Sequence, residues 1–163
     1  MKRKFTAAIA GLLILVIAAG AGGLYFIYRK NNTPIVYEDV IKYEVQTHEY
    51  FPDAPRDNKY HINSQDELNE FYSIYSDELA IDTTYLEQND ILIQVQSEGP
   101  GSIQHKLEQV VIQNKKLSFQ ISTITPEIGT ADMAFWYYVA IIPKDKLSNV
   151  NLNDWKTPSQ IKQ

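Results

Sequence analysis

Cysteine is absent from all 163 residues, which excludes disulfides, thiolate nucleophiles, cysteine-type zinc sites and a lipid anchor on an N-terminal cysteine. Redox compartment therefore leaves no mark on this chain. The motifs of the large enzyme classes are missing as well. There is no G-x-S-x-G, no phosphate-cradling loop, no Rossmann fingerprint and no H-x-x-x-H among the three histidines His48, His61 and His105. Gly99-Pro100-Gly101 is followed by a strand pattern and not by a helix, so no helix N-terminus awaits a phosphate there. No cofactor is expected. Acidic residues are missing before Glu38, whereas residues 31–163 carry 10 Lys plus Arg against 20 Asp plus Glu, a net charge of -10. A domain that acidic repels nucleic-acid phosphates and tends to hold itself off an anionic bilayer.

Charge is also missing from Phe5 to Tyr28, and a helix of that length reaches about 36 Å, enough to cross a hydrocarbon core with some tilt. Lys2, Arg3 and Lys4 precede this run and Arg29 and Lys30 follow it. Ala19-Gly20-Ala21 offers a cleavage pattern for a signal peptide. The apolar run nevertheless continues through Leu24, Tyr25, Phe26, Ile27 and Tyr28 to the basic pair, the pattern of a helix end at a membrane interface. The expectation is an uncleaved single-pass anchor over residues 1–30 with its N-terminus in the cytoplasm. A linker over 31–36 and one extracytoplasmic domain over 37–163 follow, a size that suits a single core.

Within that domain the expected fold class is α+β, an antiparallel meander covered by one main helix. Ile41, Tyr43, Val45 and Thr47 alternate with Lys42, Glu44 and Gln46, as in a half-buried strand. Ser64-Gln65-Asp66-Glu67 matches a capping box, with the Ser64 hydroxyl on the Glu67 N–H and the Glu67 carboxylate returning to the Ser64 N–H. Leu68, Phe71, Tyr72 and Tyr75 then form the apolar stripe of a helix. The meander is read over 90–97, 103–113, 117–122 and 133–142, with Asn114-Lys115-Lys116 as its clearest turn. Residues 77–89 read as a loop with a helical turn near 84–88. Residues 147–163 read as a polar tail docking Trp155.

Two irregular joints, Glu98 to Ser102 and Pro126 to Asp132, fall after the first and third meander strands. Antiparallel order places both at one end of the sheet and Asn114 at the other. Loops on a rigid scaffold carry binding function, so Ser102, Asp132, Met133 and Trp136 are the expected binding residues. Phe135-Trp136-Tyr137-Tyr138 puts two aromatics on each face of its strand. Core packing is the first reading of that run and an open aromatic platform the second. For an enzyme, a cluster of His105, Glu127 and Asp132 is the one constellation available, and a structural histidine is the plainer reading of His105.

The order of motifs resembles a family. It runs through Gly99-Pro100-Gly101-Ser102-Ile103, a basic turn, Leu117-Ser118-Phe119-Gln120-Ile121, a Pro126 loop and a strand closing on Ile142-Pro143-Lys144. This succession is similar to the C-terminal domain of the PrcB-like family. The segment Gly129-Thr130-Ala131-Asp132-Met133-Ala134-Phe135-Trp136 is similar to one in uncharacterised anchored bacterial proteins. The resemblance implies a non-enzymatic binding or assembly module of the cell envelope, with a surface protease as the kind of protein partner. Two departures stand out: the lipid-anchor cysteine is absent, and Pro100 and Ser102 replace a Gly-Gly-Tyr type of turn. A purely structural envelope protein is the further alternative.

Overall fold

The computed structural model describes residues 29, 33–49, 51, 53–75, 79–156 and 160–162, with side chains up to residue 152. The apolar run 5–28, and with it the expected membrane helix, lies outside the described residues. No helix among the described residues is long and apolar enough to cross a membrane. The domain beginning at Ile35 is built of two sheets, one antiparallel and one antiparallel except at the β6 edge, with a covering helix.

The strands are β1 (Ile35–Tyr37), β2 (Ile41–Thr47), β3 (Asp57–Ile62), β4 (Asn89–Glu98), β5 (Gln104–Gln113), β6 (Lys116–Ile124), β7 (Ala134–Pro143), β8 (Asn151–Lys156) and β9 (Gln160–Lys162). The main helix α1 covers Gln65–Ile74, and a 3-10 turn covers Thr83–Glu87. The expected strands and helix are thus present, but the single meander is not. The order β2-β7-β4-β3 forms one sheet and β1-β5-β6-β8 another, with β9 also beside β6.

The reason lies in the side-chain pattern. In β4 the run Ile91, Leu92, Ile93 is buried on both faces, as is all of β7 from Ala134 to Ile142. Strands apolar on both faces need cover on both sides. They therefore form the centre of the molecule, with α1 on one face and the second sheet on the other. In β5 and β6, buried Leu107, Val110, Leu117, Phe119 and Ile121 alternate with polar residues over much of their length, which leaves a solvent face and suits an outer sheet. Residues 99–103 accordingly carry the chain from one sheet to the other and do not turn it back beside β4.

Two cores result. Leu92, Trp136, Tyr138, Ala140 and Ile142 meet Leu107, Val110, Ile112, Leu117, Phe119 and Ile121 between the sheets. Ile91, Ile93, Val95, Tyr137, Val139 and Ile141 meet Leu68, Phe71 and Tyr75 of the helix on the other side. Ser64 caps α1 as expected, accepting from Glu67 N at 3.3 Å. The return bond differs, because the Glu67 carboxylate takes Asn63 N at 2.7 Å and not the Ser64 N–H. The β5–β6 turn is a two-residue hairpin in which Asn114 and Lys115 have φ of 54° and 62°. Both central residues are left-handed, the geometry that matches strand twist. The tail is corrected in its backbone, since β8 and β9 run parallel to β6 instead of forming a polar extension, while the expected docking of the Trp155 side chain lies outside the described residues.

The antiparallel registers define two poles. Ile35 pairs with Ile112 and Ile41 with Ile141, which places the chain's entry beside the 114–115 turn. At the opposite pole lie residues 48–56, 99–103 and 125–133, the connections that follow Thr47, Glu98 and Ile124.

Candidate loop-pole surface

Three separate connections meet at the loop pole and are fastened to one another. The Gly101 N–H donates to the Asp132 carbonyl at 3.0 Å. The Ser102 N–H donates to Thr130 Oγ1, and the Thr130 N–H donates to Ser102 Oγ, both at 3.1 Å. Gln46, near the end of β2, donates its side-chain amide to the Gly101 carbonyl. His48, just past β2, places Nδ1 3.0 Å from Asp132 Oδ2. The Thr130 hydroxyl is the first of the hydrogen bonds that hold the Asp132 carboxyl below its ordinary range, with a smaller contribution from His48. Ser102, Thr130, Asp132 and His48 thus form one continuous polar chain.

Glycine makes this approach feasible at two points. A Cβ on Gly101 would lie 2.6 Å from Asp132 Oδ2 and 2.9 Å from His48 Cε1. A Cβ on Gly129 would lie 2.6 Å from Pro100 Cγ. The loops therefore touch through bare backbone, and their mutual hydrogen bonds are the ordering force that short loops otherwise lack. On this frame stand Ile124, Ile128 and Met133, exposed by 61%, 88% and 49%. Contiguous exposed apolar patches mark docking surfaces, and these three side chains are the apolar candidates at this pole.

Beneath the clasp, His105 is buried and belongs to the inter-sheet space. Its Nε2 lies 2.7 Å from Glu98 Oε2, and its Nδ1 is 3.1 Å from the Thr123 hydroxyl. A neutral ring accepting from Thr123 at Nδ1 leaves Nε2 facing the Glu98 carboxylate at ion-pair distance without an aligned hydrogen bond. Burial pushes the imidazole below its ordinary pKa, and the adjacent Glu98 carboxylate opposes that shift. The ring stands edge-on to Trp136 at 4.9 Å and to Tyr138 at 6.0 Å.

Of the four expected binding residues, Ser102, Asp132 and Met133 come together at this pole. Trp136 does not. It is 5% exposed, stacks on Tyr138 between the sheets, and so corrects the expectation that it faces a partner. The aromatic run packs as core, Phe135 and Tyr137 toward the helix and Trp136 and Tyr138 toward the second sheet. The His105, Glu127 and Asp132 cluster does not form either. His105 is partnered by Glu98, Asp132 by His48, and Glu127 is exposed on its loop. No group of three His, Asp or Glu residues able to hold a metal ion exists among the described residues.

Sequence reasoning missed His48, Gln46 and Thr130. His48 and Gln46 precede the motif-bearing stretch by about fifty positions, and only the pairing of β2 with β7 brings them to it. A signal did exist, since His48 follows directly on a strand whose direction carries it to this pole. Comparison with protein-family models, with curated proteins and with solved structures returns no match for this chain.

Proposed function

We propose that this protein is a membrane-anchored, extracytoplasmic, non-enzymatic binding or assembly module of a bacterial cell envelope, held by a single helix over residues 5–28. In this reading the loop pole captures a protein partner, and the PrcB-like resemblance points to a surface protease as the kind of partner. The observation that carries it is the clasp of three connections around Gly101, Ser102, Thr130 and Asp132, with Ile128 and Met133 standing exposed on it. A fastened surface loses little freedom on association, which favours binding. The enzyme alternative needs His105, Glu127 and Asp132 together, whereas His105 lies against Glu98 and Asp132 against His48. The structural-envelope alternative makes no use of an exposed apolar loop tip.

The test is quantitative capture from the membranes of the protein's own cells by full-length chains bearing Ile128→Asp, or Ser102→Ala with Asp132→Asn. Both variants should lose capture of the same specific protein; Ile128→Asp should leave thermal stability within ~0.5 kcal/mol, whereas the double variant, which removes clasp hydrogen bonds, should cost about 0.5–1.5 kcal/mol for each bond lost. Capture at full strength by both would reject the loop pole as the binding surface. An intact mass showing a new N-terminus near Gly22 would reject the anchor.

A further inference from the structure

We propose that the entry pole, through Ile35, Val36 and Ile41, rests on the lipid surface of the membrane that anchors the chain. This rests on the anchor reading above and goes beyond it, since an anchor alone leaves the domain free to stand off the bilayer. The six exposed large hydrophobics among the described residues divide evenly between the poles. Ile124, Ile128 and Met133 occupy the loop pole, while Ile35, Val36 and Ile41, exposed by 55%, 39% and 45%, occupy the entry pole.

Chain length fixes the occupant of the second group. Only residues 29–34 separate Tyr28 from Ile35. Within them Thr33 N and Oγ1 both donate to the Arg29 carbonyl, at 3.0 and 2.8 Å. Six residue steps span at most ~22 Å even when fully extended, so Ile35 cannot stand farther than that from Arg29. A headgroup layer is itself ~5–8 Å deep. An apolar edge held so close to a bilayer has lipid as its nearest apolar surface.

Charge agrees. Residues 31–42, 114–117 and 145–150 hold four Lys against three Asp and Glu, directly after Arg29 and Lys30, whereas residues 48–57, 98–103 and 124–133 hold six Asp and Glu against Arg56 alone. The domain's net charge of -10 is therefore unevenly spread, and the strip that follows Arg29 and Lys30 escapes the acidic excess. Lys146 lies over the Tyr37 ring at 5.4 Å, and the Tyr37 hydroxyl donates to the Lys146 carbonyl at 3.0 Å, which joins the basic residues to the apolar strand. Lysine stems cover apolar surface while their ammonium groups meet lipid phosphates. Asp66, Glu67, Asp82 and Glu87 belong to the helix side of the same pole. The contact is therefore made by β1 and the start of β2.

With no native cysteine, single substitutions can be labelled without ambiguity. Full-length Val36→Cys, Ile41→Cys and Ile128→Cys, each carrying nitrobenzoxadiazole, are placed in vesicles of phosphatidylcholine and phosphatidylglycerol with and without nitroxide-headgroup lipid. The expected result is blue-shifted emission at positions 36 and 41, quenched by nitroxide at least about twofold more than at 128, because interfacial contact reaches only ~5–10 Å. Equal quenching at all three positions in protein that co-floats with the vesicles would overturn the lipid contact while leaving the anchor standing. Emission that is blue-shifted at 36 and 41 but insensitive to nitroxide would mean that a second copy covers β1, and would also overturn it. Failure to co-float would overturn both readings.

Discussion

The two poles of this domain expose the same number of large hydrophobic side chains and hold them in opposite ways. At the loop pole three connections are laced together by Gly101, Ser102, Thr130, Asp132 and His48, and Ile128 and Met133 stand on irregular backbone beyond Ile124, the last residue of β6. At the entry pole Ile35, Val36 and Ile41 belong to strands whose register is set by pairing with Ile112, Val111 and Ile141. Acidic residues dominate the first pole, whereas residues 31–42, 114–117 and 145–150 of the second hold four Lys against three Asp and Glu. The difference teaches that exposure alone does not define a binding site. Backbone irregularity with local hydrogen bonding suits the reading of a specific protein partner, whereas a regular apolar edge beside a short tether suits a fluid surface that demands no shape.

The comparison can be broken most severely from the layer that joins the poles. Phe71 is 1% exposed and packs on Tyr60, Tyr75 and Tyr137, so Phe71→Ala removes a large ring from the helix-side core. A loss of about 3–5 kcal/mol in urea melts is expected, with both poles failing together. Separate failure of one pole would show that they are not mechanically joined through this core.

A second perturbation addresses the loop pole alone. Gly101→Val forces a branched side chain into the space held by Asp132 and His48. A destabilisation of about 1–3 kcal/mol is expected from such overpacking. Partner capture should be lost and vesicle co-flotation unchanged. A smaller effect belongs to the start of α1, which follows Ile62 at the entry pole. Ser64→Ala should lower stability by ~1 kcal/mol with capture unchanged. An unmoved urea midpoint would remove the cap from the account.

The mildest perturbation is pH. Burial lowers the pKa of His105 in the folded state, so the unfolded chain binds its proton more readily and stability rises with pH across the window between the two values. Stability from this group is therefore fully present above the ordinary histidine value of ~6.5 and declines as pH falls through the folded value below it. Urea melts at stepped pH should show this decline, and His105→Gln should flatten its share of it.

Much of this architecture was legible in the residues. The helix start at Ser64, the stripe through Leu68 and Phe71, and the hairpin at Asn114 all follow from local chemistry, because caps, periodicity and turn conformations act over a few residues. Pairing between distant strands was not read correctly. The clue was nonetheless present in Ile91-Leu92-Ile93 and in the unbroken apolar run of β7, which demand cover on both faces, while β5 and β6 largely alternate. Chain order and sheet order differ here, because β5 and β6 leave the sheet that holds β4 and β7. The two joints were placed correctly at one pole for a reason that survives the change of topology, since successive reversals alternate between the poles whichever sheet receives the strand. Trp136 failed as a surface residue for the same reason that β7 is central. His48 was out of reach because its partnership with Asp132 depends on the β2–β7 pairing and on no short-range pattern.

The account's central claim, that the two poles serve different surfaces, is tested most directly by photocrosslinking in the protein's own cells. Benzoylphenylalanine replaces Ile128 in one full-length chain and Ile41 in another. The account predicts a discrete protein adduct from position 128 and lipid adducts without a discrete protein band from position 41. A protein adduct from position 41 with none from position 128 would contradict it.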